Sequence, residues 1–271
     1  MKTQTTELHT ESVGIHPKTI FRNENRKSKQ SFAWLRLAVI CALALTLTLT
    51  ASVGRAQDLS LSVQKASENF DYSAGPINGL NGGSGWVGPW AGAGNNVVGP
   101  GLTVACGGQQ PSGNALGPTS GPASTRSLAT PILGAPGTTM LLSAVINSDV
   151  NGSTATQATL GNSSGGTFII GELSELDPNA AHWGLQNAAG VFYSSKLVVA
   201  NVPTCLVAKI NFSVSGGLDR MRLWVNPPLG LPLGPADIDV TTAHVATFSG
   251  VFWQTQQAQV VDQIFVRAWH K

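Results

Sequence analysis

The sequence predicts an all-β fold, a two-sheet antiparallel sandwich set behind an N-terminal leader. Three observations carry that reading. Beyond residue 56 the chain is rich in Gly, Ser, Thr, Asn and Val and poor in Lys and Glu, and no long stretch shows helical periodicity. Short β-branched or aromatic runs alternate with Gly, Pro and Asn punctuation, the pattern of a sandwich or barrel. About 215 residues follow the leader, enough for one large β domain rather than two.

The leader comes first in chain order. A basic stretch (Arg26, Lys27, Lys29, Arg36) precedes an apolar run from Leu37 to Val53 and then Gly54-Arg55-Ala56. Basic, apolar and small-residue segments in that order read as a secretory signal cut before Gln57. The apolar run is diluted by Thr46, Thr48 and Thr50 and falls short of the ~20 apolar residues of a spanning helix, so cleavage is expected rather than a retained anchor. Cys41 follows Val39 and Ile40 rather than small residues, which argues against a lipoprotein signal. The expected organisation is a leader over 1–56 and one sandwich domain over 57–271, with its core at about 67–269. The protein is expected to be secreted, periplasmic or on the cell surface, with no membrane contact after cleavage.

Charge divides at the same place. The leader holds 8 of the 16 Lys and Arg and 3 of the 14 Asp and Glu, which leaves 8 basic and 11 acidic residues beyond it. A mildly acidic domain with scattered cations carries no footprint for nucleic acid. Cys106 and Cys205 are the cysteines that remain. An oxidising compartment favours one disulfide between them, the alternative being two unrelated buried thiols.

Strands are clearest in the second half. Cys205–Phe212 and Arg220–Val225 flank the turn-forming Val214-Ser215-Gly216-Gly217-Leu218-Asp219, a natural hairpin. Met140–Ile146, Thr167–Ile170, Lys196–Val199, Ala243–Phe248 and Val260–Trp269 are further strand segments. In the last, Ile264, Val266 and Ala268 share one face and Phe265, Arg267 and Trp269 the other. Ser73–Asn96 and Gly107–Ser124 read as long loops, and Pro227, Pro228, Pro232 and Pro235 mark another.

The opening Phe70-Asp71-Tyr72-Ser73-Ala74-Gly75, followed by Asn78-Gly79-Leu80-Asn81-Gly82-Gly83-Ser84-Gly85-Trp86 and Trp90, resembles the start of concanavalin A-like (laminin-G-like) jelly-roll domains of secreted bacterial proteins. The later segments Leu206-Val207-Ala208-Lys209-Ile210, Leu223-Trp224-Val225-Asn226-Pro227 and Asp262-Gln263-Ile264 match the same group. Gln263 stands where the group usually has Glu. The resemblance implies a jelly roll, a fold that hosts lectins, hydrolases, adhesion modules and many domains of no known activity.

Candidate sites follow from residue chemistry. Glycoside hydrolysis needs two carboxylates across a sugar, and Glu172, Glu175 and Asp177 form the best local cluster. Its order differs from the Glu-x-Asp strand of hydrolases of this fold, and Pro178 follows. Turn composition therefore favours a solvated loop tip. His182, His244 and His270 lack a nucleophile-elbow setting, and His182-Trp183 could border a binding surface. Glu68 and Asp71 near the opening strand, with Asp262 on the closing strand, could hold calcium through oxygen ligands, or simply cap turns. Trp86, Trp90 and Trp253 sit among Gly, Asn and Gln, where a ring could stack on a sugar; core packing is the competing role. The leading expectation is a non-catalytic secreted domain contacting carbohydrate or another extracellular surface. A glycoside hydrolase, and a structural or adhesion module with every tryptophan buried, are the alternatives.

Overall fold

The computed structural model describes residues 63–270, except 93, 112, 118–122, 149–158, 163–167, 174–180, 214–216, 230–231, 243–244, 246 and 255–258. The chain divides into a first unit, Met1–Gly54, and a second, Arg55–Lys271, to which all the described residues belong. The leader expected over 1–56, its cleavage point and Cys41 lie outside the described residues.

Every strand pairing in the second unit is antiparallel, and no helix occurs among the described residues. One sheet has nine strands: β1 (Val63–Glu68), β2 (Gly75–Pro76), β4 (Asn96–Val98), β5 (Ala115–Leu116), β7 (Thr138–Asn147), β12 (Thr204–Asn211), β13 (Asp219–Val225), β14 (Ile238–Thr242) and β16 (Val260–His270). Their order is β14-β13-β12-β7-β16-β5-β4-β2, with β1 also on β16. The other sheet runs β11-β10-β9-β8-β15-β6-β3. Its strands are β3 (Trp86–Ala91), β6 (Ser124–Leu133), β8 (Thr159–Asn162), β9 (Phe168–Leu173), β10 (His182–Asn187), β11 (Gly190–Leu197) and β15 (Thr247–Gln254). The chain is thus an all-β, two-sheet antiparallel sandwich, as its texture predicts.

Alternation explains the layers. Met140, Leu142, Ala144 and Ile146 of β7, Leu206, Ala208 and Ile210 of β12, and Ile264, Val266 and Ala268 of β16 all turn inward. They meet Phe168 and Ile170 of β9, Trp183 and Leu185 of β10, and Phe248, Val251 and Trp253 of β15. Burying a large apolar side chain of this kind stabilises by about 1.5–3 kcal/mol, so the two inner faces hold the sandwich together. The expected β12–β13 hairpin is present, with Lys209 opposite Arg222.

Several expected boundaries move. Ser73–Asn96 is not one long loop, because β2 and β3 lie within it, and Gly107–Ser124 contains β5. The strand expected at Lys196–Val199 is the tail of β11, and that expected at Ala243–Phe248 is β15, displaced toward the C-terminus. β6 escaped notice because its inward positions include Ser124 and Arg126, which mask the apolar alternation.

A smaller apolar cluster lies on the outer face of the nine-stranded sheet. Val145, Cys205, Val207 and Trp224 point away from the main core and are covered by Leu102 and Cys106 of the loop after β4. Cys106 and Cys205 are disulfide-bonded, with Cα atoms 5.3 Å apart, so the bridge ties this loop onto β12. The proline loop after β13 is held by the Trp224 Nε1 hydrogen bond to the Gly234 carbonyl, at 2.8 Å.

Candidate functional site

Two of the three tryptophans expected to face sugar do not. Trp253 is 0% and Trp90 1% exposed, both in the main core. The period-2 rule decides Trp253: Leu160, opposite it on β8, is itself a core residue, so Trp253 faces inward whatever the polarity of its sequence neighbours. Trp86 is half-buried, donates from Nε1 to the Ser67 carbonyl at 2.9 Å, and lies under the Arg126 guanidinium, 5.5 Å from its ring centre. Trp183, Trp224 and Trp269 are also buried, so of the six tryptophans described Trp86 alone keeps partial exposure.

Arg126 explains why the Gly-rich opening segment is anchored. Its Nη1 pairs with buried Glu68 and its Nη2 donates to Asn81 Oδ1 at 2.6 Å. Its Nε donates to the Gly88 carbonyl at 3.3 Å. Glu68 also accepts from Phe70 N, Tyr72 OH and Trp90 Nε1. Burial, then the neighbouring Glu68 carboxylate, pushes the Tyr72 hydroxyl above its ordinary pKa.

Glu68 is therefore committed to a cation already, which corrects its assignment as a calcium ligand. The other two carboxylates fare differently. Asp262 is fully buried and accepts from Leu102 N at 2.9 Å and Gln263 N at 2.7 Å. A bulge in β16, with Gln263 at φ 54°, breaks the register at this point. Gln263 Nε2 donates to the Val104 carbonyl at 2.8 Å, which fastens the covering loop to the bulge. A Cβ added to Gly101 would lie 2.8 Å from Asp262 Oδ2, 2.9 Å from the Gly113 carbonyl and 3.0 Å from the Asn114 carbonyl. One added to Gly113 would lie 2.5 Å from the Asn69 carbonyl and closer still to Asp71 Oδ1. Oxygens from three short segments thus gather here, although no group of three or more His, Cys, Asp or Glu side chains does so among the described residues. Burial, reinforced by the charges of Asp71 and Glu68, lifts Asp262 to about 7.

Glu172 is not at a solvated loop tip. It belongs to β9, shares the inward face of Phe168 and Ile170, and is 0% exposed. Ser148 Oγ donates to its Oε2 at 2.6 Å, and Gln259 Nε2 lies 3.3 Å away. Glu172 thus joins a polar cluster inside the sandwich. Glu175, Asp177 and His244 lie outside the described residues. His182 is half-buried on the outer face of the seven-stranded sheet, with Nδ1 2.9 Å from the Ser194 carbonyl and its ring 6.3 Å from Tyr193.

The feature that sequence reading missed lies on the outer face of the nine-stranded sheet. Register places Asp239, Arg222, Lys209, Leu141 and Arg267 in one row across β14, β13, β12, β7 and β16. The row toward one strand end carries Arg220, Asn211, Thr139 and Trp269; the row toward the other carries Trp224, Val207, Ser143 and Phe265. A crevice of about 120 Å³ opens beside Arg267, floored by Leu141 and Val207 and walled by Gly107, Gly108, Pro228 and Leu229. The alternation Arg220-x-Arg222-x-Trp224 was the signal available in sequence; cross-strand register was not.

Neither a family model nor a curated relative matches the sequence. Solved structures with similarity include the binding domain of botulinum neurotoxin serotype D (12% identity, TM-score 0.44, 77% of this chain and 48% of that one). Others are an endo-1,3-β-glucanase from Streptomyces sioyaensis (13%, 0.43, 78% and 98%) and the lectin UEA-II complexed with galactose (11%, 0.41, 76% and 99%). The chain spans about half the length of the neurotoxin domain it matches. At these identities and scores, nothing about ligand or activity passes to this chain.

Proposed function

We propose that this chain is an exported, non-catalytic domain that contacts carbohydrate through the outer face of its nine-stranded sheet. One observation supports the reading above others. Half-exposed Lys209, Asn211, Arg222 and Arg267 stand in register on one face, beside a crevice, where polar donors can meet the hydroxyl and acid oxygens of a glycan. The hydrolase alternative lacks support at Glu172, whose carboxyl lies between the sheets rather than across a cleft. The test is affinity electrophoresis of the protein through a panel of soluble neutral and acidic polysaccharides. Retardation by at least one, relieved in Arg222→Gln and Arg267→Gln proteins of unchanged melting temperature, is the expected result. No retardation by any would overturn the reading in favour of a structural or adhesion module.

The oxygens around Asp262 support a second, separate reading: a structural calcium ion held by Asp262 and Asp71 with the carbonyls of Asn69, Gly113 and Asn114. Oxygen-only donors, two of them carboxylates, suit a hard cation. Asn69 Oδ1, buried without a hydrogen-bond partner, is a further donor nearby. Such an ion would tie the segment after β1 to the bulge of β16. Calcium at 100 times its dissociation constant would stabilise the fold by about 2.7 kcal/mol, read as a higher melting temperature than in chelator. Equal melting temperatures with calcium and with chelator would remove the ion from the account.

A further inference from the structure

The outer face of the nine-stranded sheet gathers cations. Lys209, Arg220, Arg222 and Arg267 are four of the eight Lys and Arg beyond residue 56, gathered on one face of a domain whose net charge there is negative. Asp239 is the acid of that row, and Arg220 occupies it with hydrogen bonds of 2.7 and 2.6 Å. Arg222 donates to Asn211 Oδ1, but its Nε has no acceptor. Arg267 has no ion pair or hydrogen bond among the described residues; its guanidinium lies 4.3 Å from the Phe265 ring centre. Trp269, 6% exposed, has an Nε1 that donates to nothing. Burial lowers the pKa of both Arg222 and Arg267, with Arg220 adding to the effect on Arg222. Arg267 has thus lost part of its water with no ion pair among the described residues, while Arg222 shares the charge of Asp239 with Arg220.

The aromatics hold the cations rather than compete for ligand. Lys209 Nζ lies 5.2 Å from the Trp269 ring centre and Arg222 Cζ 5.7 Å from that of Trp224. The Trp224, Trp269 and Phe265 rings are 5%, 6% and 2% exposed, so none is open to stack a nucleobase or a neutral sugar. What the face offers outward is charge and N–H donors, already restrained in position by cation–π contacts. Adjacent strands are spaced by about 4.8 Å, which sets Arg222 beside Lys209 and Arg267 two strands farther on. That is a linear array with a step of the order of one sugar ring.

We propose that this face recognises an acidic polysaccharide, with successive carboxylate or sulfate groups over Arg222, Lys209 and Arg267. The inference rests on the carbohydrate-contacting function proposed above and assigns its ligand class. Guanidinium groups favour it, because their forked donors match planar carboxylates and sulfate oxygens.

The experiment is titration of the protein with polygalacturonate, alginate and a sulfated galactan, against neutral galactan and xylan and a single-stranded oligonucleotide, at low and physiological salt. At least one acidic polysaccharide is expected to bind at least tenfold tighter than the neutral ones, weakening as salt rises. Arg222→Gln and Arg267→Gln are each expected to cost tenfold or more, with Arg267→Lys recovering part of the loss. Melting temperatures within a few degrees of the parent confirm that the variants remain folded. Equal binding of neutral and acidic chains, or acidic binding indifferent to both variants, would refute the charge assignment while leaving carbohydrate contact standing. Tighter binding of the oligonucleotide would also refute it. Absence of binding to every polysaccharide would overturn both proposals.

Discussion

Replacing Arg126 by Met removes the cation from a buried pair whose side chains are each 1% exposed, with little change in side-chain bulk. Glu68 keeps Phe70 N, Tyr72 OH and Trp90 Nε1 as donors, but its charge then lies in a low-dielectric setting with no positive partner. Removing one member of a buried pair typically costs about 3–5 kcal/mol. For a domain of about 215 residues, an unfolding entropy of about 2.1 cal/mol/K per residue makes each kcal/mol worth about 2.2 °C. The melting temperature is therefore expected to fall by about 7–11 °C, measured by circular dichroism at pH 7 in constant chelator. Glu68→Gln in the same background should recover at least half of that loss, because no uncompensated charge remains. Arg126→Met should also change Trp86 emission, since the ring loses the guanidinium above it. A fall under 2 °C, or a double variant as unstable as the two single losses combined, would refute the argument that the pair clamps the opening segment.

Three further outcomes are expected. Trp253→Ala should destabilise by about 3–5 kcal/mol, since a fully buried ring leaves a cavity; a variant of unchanged stability that lost glycan binding would instead restore Trp253 as a sugar contact. Cys106→Ser with Cys205→Ser should cost about 4–5 kcal/mol on the chain-entropy argument for a sequence separation of 99, read in denaturant titrations; a cost below 1 kcal/mol would contradict it. Asp262 supplies the pH dependence. Its folded value of about 7 exceeds the ordinary 3.8, so its contribution is intact below about pH 4 and is lost as pH rises through 7. In chelator, stability should drop by up to about 4 kcal/mol across that interval relative to Asp262→Asn, and parallel profiles for the two proteins would refute it.

Legibility in the sequence followed how local each determinant is. β12, β13 and β16 could be read because β-branched and aromatic residues concentrate along them, with alternation toward the end of β12, and the faces expected for Ile264 and Phe265 are those observed. β6 could not, because its inward Arg126 is compatible with the core only through Glu68, 58 positions away in sequence. Polar sequence neighbours placed Glu172 and Trp253 on the surface by average composition. Strand parity and cross-strand partners bury both. The row of Arg222, Lys209 and Arg267 was beyond reach for a related reason. Each cation lies on its own strand, and only pairing through β7 aligns them.

The place of β16 has a consequence for the order of events in folding. The last strand in sequence is central in space, paired with β7, β5 and β1, and β1 is the first strand. The nine-stranded sheet cannot close until residues 260–270 have been made, so a nascent chain lacks the partner that joins its two halves. Non-local closure of this kind is slow, since loop entropy must be lost before its contacts form. Truncation by even this one strand would remove the seam on which the rest of the sheet is assembled.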